Sequence, residues 1–249
     1  MNLLVAVSSL ALLGAPAPSQ DVHYLPGALH EQLACAPQML PTAPLAGIRV
    51  LGTYEPNRTM FGTGDALIID AGGVQGIKAG QQYFVRRLVN DQFLGGKTSE
   101  LGPVSIHTAG WVTVLDVRDS VAVAEVTHAC DGIITGDYLE PFVDPADPPP
   151  AIQGSPDYEH SGSIVMGDER RQMGSAGTLM VLDRGGDADV RAGQTVTIFR
   201  ETMGGIGPVS QVGRATVVSV RPASSVLRID ASRGAIYIGD RVAINRITK

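Results

Sequence analysis

Leu179 to Arg200 reads LMVLDRGGDADVRAGQTVTIFR and, at a displacement of 113 positions, Leu67 to Arg87 reads LIIDAGGVQGIKAGQQYFVRR. Asp70-Ala71-Gly72-Gly73 overlies Asp183-Arg184-Gly185-Gly186, and Lys78-Ala79-Gly80-Gln81 overlies Arg191-Ala192-Gly193-Gln194. A second block, Gly110 through Asp137, matches Gly213 through Asp240 at a displacement of 103. The shared Gly-Pro-Val-Ser (Gly102 to Ser105, Gly207 to Ser210) lies between the blocks at a displacement of 105. Ordered matches that slip only between blocks mark a tandem duplication, and a chain so made folds as two like units.

The pattern inside each copy is that of strands. Ala122, Ala124 and Val126 overlie Ser225, Leu227 and Ile229, while Glu125 and Thr127 overlie Arg228 and Asp230. Alternation with a period of two gives one apolar and one wet face. Tyr83 and Val85 over Val196 and Ile198 repeat it. Strands are expected at 48–52, 66–70, 82–88, 111–117, 121–127 and 138–142, and again at 163–167, 178–183, 195–201, 214–220, 224–230 and 241–247. The 30 glycines, 16 prolines and only 18% charged residues suit short strands and tight turns. Gly72-Gly73 and Gly185-Gly186 follow an aspartate at a strand end, where glycine bears a positive φ; Gly136-Asp137 and Gly239-Asp240 mark a second fixed turn. The expected fold class is all-β: two tandem repeats, each a small barrel or sandwich of about six short strands.

The rest of the chain frames the repeats. Residues 1–17 have the length of a signal-peptide core and end in Ala15-Pro16-Ala17, which predicts export. Residues 18–46 form an N-terminal strap with a helical turn near Leu29 to Leu33, and repeat 1 spans 47–143. A Pro-rich linker covers 144–161 with Pro148-Pro149-Pro150 at its centre, and repeat 2 spans 162–249. A formal charge of −6 offers no basic field for a phosphate backbone, so nucleic acid is excluded as a partner.

The 2 cysteines are Cys35 in the strap and Cys130 in repeat 1; position 130 is matched in repeat 2 by Arg233. In an exported chain this pair reads as a disulfide pinning the strap to repeat 1. The competing reading is a metal site shared with His128 and His30, but the spacing lacks the paired close ligands of zinc sites, and no metal or cofactor is expected. Asp183, Asp187 and Asp189 imitate a calcium loop, but the first copy has Asp70, Val74 and Gly76 there, so these aspartates read as turn caps. Asn57-Arg58-Thr59 matches a glycosylation acceptor. No Gly-x-Ser-x-Gly or His-Glu-x-x-His occurs, and no nucleophile with its base can be named, so no catalytic residue is assigned.

The order seen twice is Asp-x-Gly-Gly, x-Ala-Gly-Gln, a glycine with a Val-rich hairpin, then Ile-x-x-Gly-Asp. It resembles small all-β modules of bacterial envelope proteins, some beside peptidoglycan-binding LysM domains, and the C-terminal domain of the flagellar assembly protein FlgT. The resemblance implies an accessory or assembly role in the periplasm or outer envelope, near peptidoglycan, with an envelope protein as partner. The copy-specific residues Arg184, Arg214, Arg228 and Trp111 are the expected partner surface. The alternative is a glycan- or small-ligand-binding module that stacks its ligand on Trp111, Tyr83 or Tyr138.

Overall fold

A computed structural model describes residues 28–44, 47–54, 58–89, 104–167, 171–202 and 207–246. The signal-peptide segment 1–17 and the acceptor Asn57 lie outside the described residues. The strap holds helix α1 (Ala28–Ala34) and strand β1 (Gln38–Leu40). Repeat 1 follows with β2 (Ile48–Thr53), β3 (Met60–Phe61), β4 (Ala66–Ile69), β5 (Gln82–Val89), β6 (Val104–Val117), β7 (Ala122–Ala129), β8 (Ile133–Ile134) and β9 (Tyr138–Pro141). Repeat 2 supplies β10 (Ser155–Gly167), β11 (Met173–Gly174), β12 (Leu179–Leu182), β13 (Thr195–Glu201), β14 (Val209–Val220), β15 (Ser225–Ser232), β16 (Ile236–Tyr237) and β17 (Arg241–Arg246).

Each repeat is a closed six-stranded barrel, not a sandwich. The order around the first is β2-β4-β7-β6-β5-β9, returning from β9 to β2, and around the second β10-β12-β15-β14-β13-β17, returning to β10. The short pairs β3 with β8 and β11 with β16 are equivalent in the two copies. The alternation read from the sequence sets the inward faces. Leu67, Val85, Val112, Val114, Ala124 and Val126 fill the first barrel; Met180, Ile198, Ala215, Val217, Leu227 and Ile229 take their places in the second.

Pairing corrects one sequence match. Arg86, Arg87 and Leu88 pair with Thr108, His107 and Ile106, while Phe199, Arg200 and Glu201 pair with Gln211, Ser210 and Val209. The displacement on β6 is therefore 103 from the start of the hairpin, and the two Gly-Pro-Val-Ser segments are not structural equivalents. The slip falls between β5 and β6 in the first copy and between β13 and β14 in the second. Three strands begin earlier than the apolar pattern shows. β6 and β14 extend toward this loop, and β10 takes over Ser155 to Ser161 from the expected linker. Between Asp157 and Gly162 the register of β10 against β17 shifts. There the Asp157 carboxylate accepts from the Glu159 and His160 amides and from Arg246 Nε, at 3.2, 3.2 and 2.9 Å. A polar bulge of this kind leaves no alternation to read.

The glycine turns serve closeness more than handedness. Gly72 and Gly185 both have φ −139°, which is extended backbone, so the positive φ expected there is not found. A Cβ at Gly72 would overlap the Arg118 carbonyl oxygen, and one at Gly185 the Arg221 carbonyl oxygen. The neighbouring amides of Gly73 and Gly186 donate to those same oxygens at 2.8 Å, so the turn is seated on the β6–β7 or β14–β15 hairpin. Positive φ does occur at Gly136 (91°) and Gly239 (95°).

The strap joins the two barrels. β1 extends the first barrel's sheet by pairing with Val104 to Ile106 of β6. Ahead of β1 the strap meets the second barrel, where Leu33 and Ala36 pack with Leu179, Val218 and Val226. Gln32 Nε2 donates to the Gly177 carbonyl at 2.7 Å, Ser224 Oγ donates to the Met39 carbonyl at 3.3 Å, and Arg221 donates to the Gln38 side chain.

Two neighbouring substitutions separate close approach from turn chemistry. Gly185→Ala forces the turn off its hairpin and should cost about 2–4 kcal/mol in urea unfolding. Gly186→Ala meets the same oxygen at an ordinary 3.8 Å and should stay within about 1 kcal/mol of the parent.

Candidate functional site

The repeated sequence blocks end in a repeated ion pair. Arg87 on β5 reaches the turn before β9, where Nε and Nη2 donate to the two Asp137 carboxylate oxygens at 2.8 and 2.7 Å. Arg200 on β13 does the same to Asp240 at 2.6 and 2.7 Å. Each arginine also donates to a turn carbonyl, Gly132 at 2.8 Å and Ala235 at 2.7 Å. Each aspartate accepts in addition a backbone amide, from Ile134 at 2.9 Å or Tyr237 at 2.8 Å. Hydrogen bonding to Asp137 and Asp240 raises both guanidiniums above the ordinary arginine value. In the sequence Asp137 and Asp240 read as turn residues. Their partners were visible as shared arginines at the end of the first block, but no local spacing couples residues 50 and 40 positions apart.

Asp70 and Asp183 are spent in the same manner. Their carboxylates accept the amides of Arg49 at 2.5 Å and Ser163 at 2.8 Å. Among the described residues, the one convergent group of three His, Cys, Asp or Glu side chains does not include Asp183, Asp187 or Asp189. Asp189 is instead the left-handed cap of a short 3-10 turn, at φ 57°.

The copy-specific residues of the first barrel gather at one place. Cys35 and Cys130 form a disulfide across 95 residues, with Cα atoms 5.6 Å apart. It is packed with Ala34, Phe84, Trp111 and Phe142. His128 stacks on Trp111 with ring centroids 4.4 Å apart and planes 12° from parallel. His30, named with His128 as a metal ligand, instead contacts the Asp144 carboxylate at 2.9 Å. The expected partner surface therefore divides. Trp111 is 8% exposed and belongs to this buried cluster. Arg214 is exposed, whereas Arg228 lies along Asp230 at 3.3 Å. Arg184 donates to the carbonyls of Asp183 and Ser161 at 3.0 and 3.4 Å. The stacking groups of the ligand-binding alternative fare no better. Tyr83 is 8% exposed and donates to Gln81 at 2.9 Å, and Tyr138 is 2% exposed.

One buried charge escaped the sequence reading. Arg86 is 4% exposed on the outward face of β5, over the Phe84 ring at 4.3 Å. It donates to Glu140 at 3.0 Å and to Thr108 at 2.5 Å. Burial pulls its guanidinium below the ordinary value, and Glu140 opposes that shift. The strap and the second barrel cover a face that alternation alone marks as wet.

No known protein-family profile matches this chain, and no characterised protein matches it in sequence.

Removing an arginine from the duplicated pair strands a carboxylate, so the loss should follow how buried that carboxylate's surroundings are. Arg87→Met, beside an Asp137 side chain 2% exposed, should cost about 2–4 kcal/mol in urea unfolding. Arg200, whose side chain is 39% exposed, should lose less when changed to Met. A reversed order would mean that the pairs do not share one role.

Proposed function

We propose that this chain is a non-enzymatic, exported scaffold or adaptor of the bacterial cell envelope that works through protein–protein contacts. The observation that carries the reading is the division of labour between the copies. What they share, the turn glycines and the two Arg–Asp pairs, is consumed by the fold, since each of these arginines and aspartates is partnered within its own repeat. What differs is the aromatic and disulfide cluster under the strap in the first copy and the arginines Arg184, Arg214 and Arg228 in the second. The barrel interiors are filled by apolar side chains, which favours surface contact over a ligand held within. A disulfide on a partly exposed strap fits an oxidising compartment outside the cytoplasm.

The outer face of the β14–β15 pair is the surface we assign to the partner. Exposed Arg214 and the half-buried Arg228 and Asp230 lie there, with the buried Thr216 donating to Asp230 at 2.6 Å, opposite the inward Ala215, Val217, Leu227 and Ile229. The same positions in the first barrel are Trp111, Thr113, Glu125 and Thr127, so this charge pattern belongs to the second copy alone. Two guanidinium groups on one face suit a partner rich in carboxylates.

The test is capture of partners from the native envelope fraction by charge-reversed variants. Arg214→Glu should weaken capture severalfold at an unchanged melting temperature, because Arg214 is exposed. Arg228→Glu should weaken it too and also lower the melting temperature, since it sets a carboxylate against Asp230. Capture unaltered by Arg214→Glu overturns the arginine surface. Hydrolysis of an envelope polymer by the purified protein overturns the adaptor reading.

A further inference from the structure

Cys35, His128 and Cys130 are brought together in a way that a disulfide does not require. One ligand atom from each lies within 4.8 Å of the others, and all three side chains are partly exposed. The imidazole is held in place from behind: Trp111 stacks on it, and Phe84 and Phe142 brace the indole with centroids 6.4 and 5.7 Å away. The second barrel has Ala231, Arg233 and Arg214 where the first has His128, Cys130 and Trp111, so the set as a whole is confined to one copy.

The two sulfurs would stay near each other without their bond. Cys35 closes a helical turn, its amide donating to Glu31 at 3.0 Å, and the strap beyond it is held by β1–β6 pairing. Leu33 and Ala36 are anchored on the second barrel. Cys130 is fixed by its amide, which donates to the Ala109 carbonyl at 2.9 Å. In a tetrahedral zinc site, bond lengths of about 2.3 Å to sulfur and about 2.0 Å to nitrogen put neighbouring ligand atoms roughly 3.3–3.8 Å apart. On reduction the bonded sulfurs separate toward that distance, while the His128 ring nitrogen starts within 4.8 Å of both.

We propose that the reduced protein binds one Zn(II) ion through Cys35 Sγ, Cys130 Sγ and a ring nitrogen of His128, with water as the fourth ligand. An external dithiol donates two electrons to the disulfide and becomes a disulfide itself, leaving two thiols; metal binding then displaces their two protons. Disulfide and metal are alternative occupants of one link. Either one ties the strap to the first barrel, so the link survives a change of redox surroundings.

The experiment uses the full chain, reduced with dithiothreitol, freed of reductant under anaerobic conditions and titrated with Co(II) and then Zn(II). One equivalent of Co(II) should give thiolate charge-transfer absorption, displaced by Zn(II), and the fluorescence of the single tryptophan should change in step because Trp111 lies on His128. The oxidised protein should give neither signal. His128→Ala keeps both thiols and should weaken Zn(II) binding by about tenfold or more, with circular dichroism reporting its fold. Cys35→Ser should abolish the absorption band. Failure of the reduced protein to bind either ion, or binding indifferent to His128→Ala, overturns the proposal.

Discussion

Closure is the constraint on which the rest depends. An open six-stranded sheet leaves two rows of unpaired amides and carbonyls, whereas a closed one leaves none along its staves. In both copies closure comes at the pairing of the first strand with the last, β2 with β9 and β10 with β17. That seam is short in the first barrel, pairing Ile48 with Leu139 and Arg49 with Tyr138, and is continued by Val50, which bonds to Gly136 and Asp137 of the turn at 2.8 Å. The bidentate pair of Arg87 with Asp137 reinforces it by tying β5 to the turn that delivers β9. Its duplicate, Arg200 with Asp240, ties β13 to the turn before β17. Glycine at 72 and 185 allows the opposite turn to sit on its hairpin without a Cβ between them.

Two closed barrels can meet only through their outer faces, and outer faces are largely polar. The strap resolves this by lending each barrel an apolar surface. Ala34 and Cys35 cover Phe84 and Trp111 on the first, while Leu33 and Ala36 cover Leu179, Val218 and Val226 on the second. The same covering explains why Arg86 is buried on a face that alternation calls wet, and why it needs both Glu140 and Thr108. A segment outside the duplication thus decides how the duplicated parts are placed.

The duplication, the inward faces and the disulfide were legible in the sequence because each rests on local grammar or on the only available pair. Period-two apolar positions survive in both copies whatever surrounds them, and two cysteines allow one bond. The lost features are those set by distant covering. Trp111 and Tyr138 look like exposed aromatics until the strap and the seam are in place. The polar bulge at Asp157 hides a strand because its bonds are made by carboxylate oxygens. The Gly-Pro-Val-Ser match misled because a similar tetrapeptide follows loops of different length, and pairing partners decide equivalence where letters do not. Among the expected surface residues, only Arg214 stands clear of a partner within its own barrel or cluster, so the surface reading narrows to the β14–β15 face.

The strap packs against both barrels and locks them into one arrangement. Pulsed dipolar spectroscopy tests it most directly, with spin labels carried by unnatural amino acids at Glu125 and Asp187, both exposed and in different barrels. The intact chain should give one narrow distance distribution. Changing Leu33 and Ala36 together to serine should broaden it while circular dichroism of the barrels is retained. An equally narrow distribution in the variant would contradict the account, because the barrels would then be held by something other than the strap.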